Sequence, residues 1–207
     1  MKLRVVGLLG VLAVAGVVAA LSVFHRSGGA SAPGDSAFRG NVPPPGIALP
    51  AFRLRDQDGR SVRSGSLRGK VVVLTVLESK CKQSCPVIAS DIAGAWKLLS
   101  SSDRSNAVAV AISSNPIDDT RGSIRTFLER RHAAGVIRYL TGPVPVMRSV
   151  WRRLYVLSSL NSGSADVHSA PVRIYNRDLT WVATQGAGVD LSPANLAHDV
   201  RVALAQR

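Results

Sequence analysis

Gly69-Lys70-Val71-Val72-Val73-Leu74-Thr75-Val76-Leu77-Glu78-Ser79-Lys80-Cys81-Lys82-Gln83-Ser84-Cys85-Pro86 is the stretch that decides the fold. Lys70 to Leu77, with Val71-Val72-Val73-Leu74, is a continuous run rich in β-branched residues, and Gly69 bounds it. That is the pattern of a strand covered on both faces. From Pro86 to Ser100, Val87, Ile88, Ile92, Trp96 and Leu99 recur at helical spacing, so a helix follows. The only two cysteines therefore stand where a central strand hands over to a helix.

Working outward, Ala107 to Ile112 reads as a second buried strand, and Ile124, Phe127 and Leu128 mark a helix from about Ser123 to Ala134. A short strand is expected at Val136 to Leu140. Met147, Val150, Trp151 and Leu154 form one stripe of a helix over Val146 to Val156. Pro171 to Tyr175 and Leu179 to Thr184 form an antiparallel pair around Asn176-Arg177-Asp178. Ser192 caps a last helix, with Pro193 in its first turn and Leu196, Val200 and Leu204 inward. Upstream, Phe52-Arg53-Leu54 alternates and Asp58-Gly59 turns the chain back toward Ser61-Val62, a hairpin. Residues 51–207 thus read as one mixed α/β domain with an N-terminal β-hairpin extension. Pattern alone does not set the strand order.

Val5 to Phe24 carries no charge over twenty residues, which at about 1.5 Å per residue spans roughly the 30 Å of a bilayer core. Residues 1–26 are read as a single transmembrane helix with its N-terminus in the cytoplasm, placing the rest of the chain at the cell membrane on the extracytoplasmic side. A cleaved signal peptide is the alternative, with Ala30-Ser31-Ala32 as its small-residue site. Residues 27–50, including Pro43-Pro44-Pro45-Gly46, have the composition of a tether.

Lys and Arg number 26 against 13 Asp and Glu, a net charge of +13. Arginines 121, 125, 130, 131, 138, 148, 152 and 153 accompany a single acid, Glu129, in that span. A solvated helical face accounts for them; an anionic lipid surface or an acidic partner is the functional alternative. Nucleic acid is set aside, because no aromatic residues are interleaved to stack bases.

Cys81 and Cys85 lie four positions apart. A structural disulfide here would close about five residues and remove roughly 2 kcal/mol from the unfolded chain, against nearer 5 for a loop of a hundred. Two sulfurs on one helical turn instead suit a soft metal, or disulfide exchange with a partner. Both uses need thiolate, which the helix N-terminus and Lys80 and Lys82 favour and Glu78 opposes. Copper(I) held by two thiolates has room for an imidazole. His25, His132 and His198 have ordinary surface contexts. His168 closes the polar loop Asn161 to Val167 just before a strand, and spacing alone leaves it open between ligand and structural residue.

Phe52-Arg53-Leu54-Arg55-Asp56 with Gly59, Gly69-Lys70, the Cys81 to Pro86 motif, Asn115-Pro116 with Asp119-Thr120, and His168-Ser169 together resemble the Sco/SenC family of copper chaperones, from about Phe52 to the C-terminus. The resemblance implies a thioredoxin-like fold and copper bound by Cys81, Cys85 and His168, as Cu(I) and as Cu(II) in a second state. It implies an acceptor, the binuclear copper site on subunit II of cytochrome c oxidase. Thiol-disulfide oxidoreductase action through Cys81 and Cys85, with a protein partner, is the other function it accommodates. Four departures stand out: Asn115 for Asp, Val167 for an acid with Asp166 next to it, Asp178-Leu179 for an Asp-Gly turn, and a polar Leu77-Glu78-Ser79 approach. Pro171 falls about one residue from where thioredoxin-like folds set a cis-proline.

Overall fold

The computed structural model describes residues 37–206. The expected membrane anchor at 1–26 lies outside the described residues, as do tether residues 27–36. Among the described residues no helix is long and apolar enough to cross a membrane.

The chain builds β1 (Arg53–Arg55), β2 (Ser61–Arg63), β3 (Val71–Leu77), α1 (Ser84–Leu98), α2 (Ser101–Ser105), β4 (Ala107–Ser113), α3 (Arg121–Arg130), β5 (Ile137–Leu140), α4 (Val144–Leu154), α5 (Ser159–Ser162), β6 (Val172–Tyr175), β7 (Trp181–Gln185) and α6 (Pro193–Ala205). Five strands form one sheet in the order β5-β4-β3-β6-β7. β3, β4 and β5 run parallel, whereas β6 lies antiparallel to β3 and β7 to β6. β1 and β2 form the expected hairpin. This mixed α/β architecture is consistent with a thioredoxin-like arrangement.

The apolar run of β3 is buried at every position because both faces are covered. Val71, Val73 and Leu77 pack with Ile88 and Ile92 of α1, Phe127 of α3 and Val200 of α6. Val72, Leu74 and Val76 pack with Met147, Val150 and Trp151 of α4 and with Leu54 and Val62 of the hairpin. The alternation follows from the two-residue period of a strand, and β3 becomes the middle of three layers.

Several boundaries are set by polar groups rather than by apolar spacing. α1 stops at Leu98, since Ser100 and Asp103 form a reciprocal capping box that starts α2. α3 stops at Arg130, short of the expected Ala134, and His132 follows it with φ 53°. At the β6–β7 turn, Leu179 takes φ 65° where the resemblance places glycine. A left-handed leucine costs about 1–2 kcal/mol, offset here by burial of its side chain beside Tyr175.

Residues 37–50, read from composition as tether, lie along the domain. Asn41 bridges to Thr184 and Ala48 to Thr180 of the terminal hairpin. Asp199 of α6 accepts the backbone N–H groups of Arg39 and Gly40 at 2.8 and 2.9 Å. Backbone pairing at the edge of β7 needs no apolar side chains, which is why composition does not reveal it.

Candidate metal centre

β3 delivers the chain to Glu78, whose carbonyl accepts the Cys81 N–H at 3.2 Å, so a tight turn places Cys81 just ahead of α1. Cys85 lies in the first turn of that helix. Both thiols are free and buried, Cys81 at 4% exposure and Cys85 at 0%. Pro86 is tolerated here because the first N–H groups of a helix have no intrahelical acceptor to lose. His168 enters from the segment leading into β6. Pairing of β6 with β3 closes the 83-residue separation and sets His168 Nε2 at 3.1 Å from Cys85 Sγ. Cys81 Sγ, Cys85 Sγ and a His168 ring nitrogen all lie within 4.8 Å of one another.

The imidazole's other nitrogen, Nδ1, lies 3.0 Å from the Ser169 carbonyl oxygen. A carbonyl only accepts, so Nδ1 carries a proton and Nε2 is the nitrogen that faces the sulfurs. Asp166 does not orient the ring. It accepts the backbone N–H of Lys82 at 2.8 Å and so latches the cysteine loop. Ser169 holds the histidine segment to Leu157 through two 2.9 Å bonds. His132 and His198 stand elsewhere, the latter bonded to Asp199, and His25 lies outside the described residues. No cis peptide occurs among the described residues, so the bond before Pro171 is trans.

The two thiols share one negative charge. The Cys85 thiol, donating to the Cys81 sulfur, is the main influence holding Cys81 down to about 4, against burial and with help from His168 and the helix N-terminal N–H groups. Cys85 is pushed up, first by that same neighbour and then by burial. His168 is raised: burial pushes it down, but the Cys81 sulfur and the Ser169 carbonyl outweigh it. Lys80 contributes less than its position suggests, because Asp118 binds it at 2.6 Å.

Beneath the site lies a buried polar layer built from Glu78, Asn115 and Asp119. Asp119, 3% exposed, accepts the Ser79 N–H at 2.8 Å, the Ser113 hydroxyl at 2.6 Å and the Tyr139 hydroxyl at 2.8 Å. Asn115 stands where the resemblance places an acid, and its side chain bonds Asp118 and the Ile117 N–H. Glu78 is fully buried, and neither carboxyl oxygen has a partner at bonding geometry. Burial raises its pKa, with Ser159 and Asn115 offsetting only part, so it favours the neutral form and opposes the Cys81 thiolate less than a carboxylate would.

A raised carboxyl contributes stability below its ordinary value of 4.5 and loses that contribution as pH climbs through the folded value. Glu78→Gln is therefore expected to exceed the wild type in unfolding free energy by about 1–2 kcal/mol at pH 7.5, the order of an unsatisfied buried polar group. The gap should narrow toward pH 4.5. Denaturant melts at the two pH values check this, and a pH-independent gap refutes it.

The donor set discriminates among metals. Two sulfurs and one imidazole are soft to borderline ligands, suited to copper(I) and unsuited to calcium or magnesium, which take oxygen. Zinc sites are commonly four-coordinate, and among the described residues no fourth His, Cys, Asp or Glu joins the cluster. The residues present fit a three-coordinate copper(I) ion.

A family model described as SCO1/SenC matches residues 44–205. The fold is similar to ScoI of Bradyrhizobium japonicum with copper bound, at 21% identity and a TM-score of 0.64, covering 75% of this chain and 99% of that one. It is also similar to copper-bound ScoI of Arabidopsis thaliana, at 22% identity and a TM-score of 0.62, covering 78% and 100%. BsSco, described as a Sco-family cytochrome c oxidase assembly protein with a disulfide switch, aligns at 17% identity and a TM-score of 0.64, covering 81% and 99%. A search of curated protein sequences finds no match.

Proposed function

Because the chain belongs to the SCO1/SenC family, we propose that it binds copper(I) through Cys81, Cys85 and His168 and serves as a copper chaperone in cytochrome c oxidase assembly. The observation that carries this reading is the convergence of two thiol sulfurs and a histidine nitrogen within 4.8 Å. Copper is cargo here. The two sulfurs and Nε2 hold it, and ligand exchange passes it to the binuclear copper site on subunit II. An N-terminal anchor over residues 1–26 keeps the domain at the cell membrane, on the extracytoplasmic side.

A second reading, thiol-disulfide exchange, is supported by the Cys81 thiolate held near 4. Cys81 attacks a partner's disulfide and forms a mixed disulfide, releasing one partner thiolate. Cys85 loses its proton and attacks Cys81, which frees the second partner thiolate and leaves Cys81–Cys85 oxidised. The two functions share their sulfurs and exclude each other at any instant.

The test is an anaerobic copper(I) titration of the full-length protein in neutral detergent against a chromophoric competitor. Reduced protein is expected to bind one equivalent, and protein oxidised to the Cys81–Cys85 disulfide none at the same competitor concentration. Equal binding in the two states would sink the proposal.

A further inference from the structure

The last turn of α3 lies beside Cys81, and a cavity of about 420 Å³ opens between them, lined by Cys81, Lys80, Lys82, Thr126, Arg130 and Arg131 among others. No carboxylate lines it. Lys80 is neutralised by Asp118. The side chains of Lys82, Arg130 and Arg131 make no hydrogen bond or ion pair among the described residues, and Arg131 Nε is shielded from solvent without a partner. Asp166, bonded to the Lys82 backbone, does not line the cavity. Cys81 is on the wall and Cys85 is not, so an occupant meets Cys81 first.

Two unpaired arginines and Lys82, whose charge the Asp166 carboxylate partly offsets, repel one another around one concavity, and an anion placed among them removes that cost. Two arginines favour carboxylates in particular, since the guanidinium fork matches carboxylate geometry. The volume falls in the range that holds small ligands, enough for a short peptide. A sulfur on the wall and cations around it define an occupant that carries sulfur and carboxylates together.

We propose that this cavity recognises acidic, peptide-sized thiols and disulfides and sets the charge preference of Cys81, with Arg130 and Arg131 as specificity-determining residues. The inference rests on the exchange reading of the site and names its substrate class. In the step, the Cys81 thiolate attacks one sulfur of the bound disulfide. A Cys81–sulfur bond forms, the ligand's S–S bond breaks, and the departing thiolate keeps the electron pair and takes a proton from water.

The experiment uses full-length protein in neutral detergent with Cys85→Ser, which stops the reaction at the mixed disulfide. Rates of mass addition at Cys81 are measured with glutathione disulfide (anionic), hydroxyethyl disulfide (neutral) and cystamine (cationic). The ratio of anionic to cationic rates cancels any change in thiolate fraction. Arg130→Gln/Arg131→Gln is expected to lower that ratio by on the order of tenfold at low salt, the scale on which local charge alters association rates. The exposed single change Arg130→Gln, which leaves the buried Nε of Arg131 untouched, is expected to lower it about threefold by the same effect.

Arg68→Gln/Arg177→Gln removes the same net charge. Arg68 precedes β3 and Arg177 lies in the β6–β7 turn beside it, where the Gly69 N–H donates to the Arg177 carbonyl and Arg68 donates to the Asp178 carbonyl, and Cys81 follows the other end of β3. This control is expected to keep the ratio within about twofold. Equal losses in the two double variants overturn the inference and leave exchange at Cys81 standing. A protein that reacts with none of the three reagents overturns exchange at Cys81 and the inference with it.

Discussion

Cys81→Ser and Cys85→Ser are each expected to lower copper(I) affinity by on the order of a thousandfold, about 4 kcal/mol at 1.4 kcal/mol per decade, and His168→Ala by on the order of a hundredfold. The difference follows from the donors. Serine replaces a soft, anionic sulfur with a neutral, hard oxygen, whereas alanine removes a neutral imidazole and leaves both thiolates in place. The same series carries a proton signature. Cys81, held down to about 4, has no proton left to lose above pH 6. Cys85, pushed up by its neighbour and by burial, must release one when the metal binds. Wild-type affinity is therefore expected to climb by at least about tenfold per pH unit between pH 6 and 8, one proton's worth of linkage from Cys85 with a further part from His168, whose pKa is raised. Cys85→Ser should reduce that slope. Competition titrations at three pH values read both effects. A His168→Ala affinity equal to wild type, or a slope unchanged by Cys85→Ser, contradicts the assignment.

The second large effect is on stability. Asp119→Ala is expected to reduce the unfolding free energy by about 3–5 kcal/mol, on the scale of about 1–3 kcal/mol for each buried donor left without its acceptor. Its carboxyl is the common acceptor for Ser79 N–H, Ser113 Oγ and Tyr139 Oη, and truncation strands all three. Asp119→Asn separates bonding from charge. The amide oxygen still accepts from Ser79, and the amide nitrogen can donate to the hydroxyls of Ser113 and Tyr139, which rotate to accept. Burial raises the Asp119 pKa despite those bonds, so losing the charge removes a penalty. The asparagine variant should stay within about 1 kcal/mol of wild type, the net worth of a single bond. Because Ser79 leads into the Cys81 turn, the alanine variant should also loosen copper binding. Equal destabilisation by alanine and asparagine in denaturant melts rules out the hydrogen-bond account.

Much of the central architecture was legible in the chain. The β3 run predicted a strand covered on both faces, and helical spacing after Pro86 predicted α1, because periodicity records which side of an element faces the core. Ends were less legible where polar groups competed with that signal. The Ser100–Asp103 box cuts α1 short, and α3 ends before Ala134. The Leu179 turn shows the limit of residue preference, since an unfavourable φ persists when its side chain is buried well enough.

The site divides in the same way. By itself the sequence determined that two thiols share one turn at a strand-to-helix junction, because four positions of chain cannot separate them. Only the tertiary structure decided their company. Pairing β6 with β3 brings His168 to Cys85, and the Ser169 carbonyl selects its tautomer. Burial pushes Glu78 toward its neutral form, Asp166 turns to the loop backbone and not to the imidazole, and α3 sets unpaired arginines beside Cys81. Each depends on sheet pairing, burial or packing between residues far apart in the chain, and local spacing carries no record of such contacts.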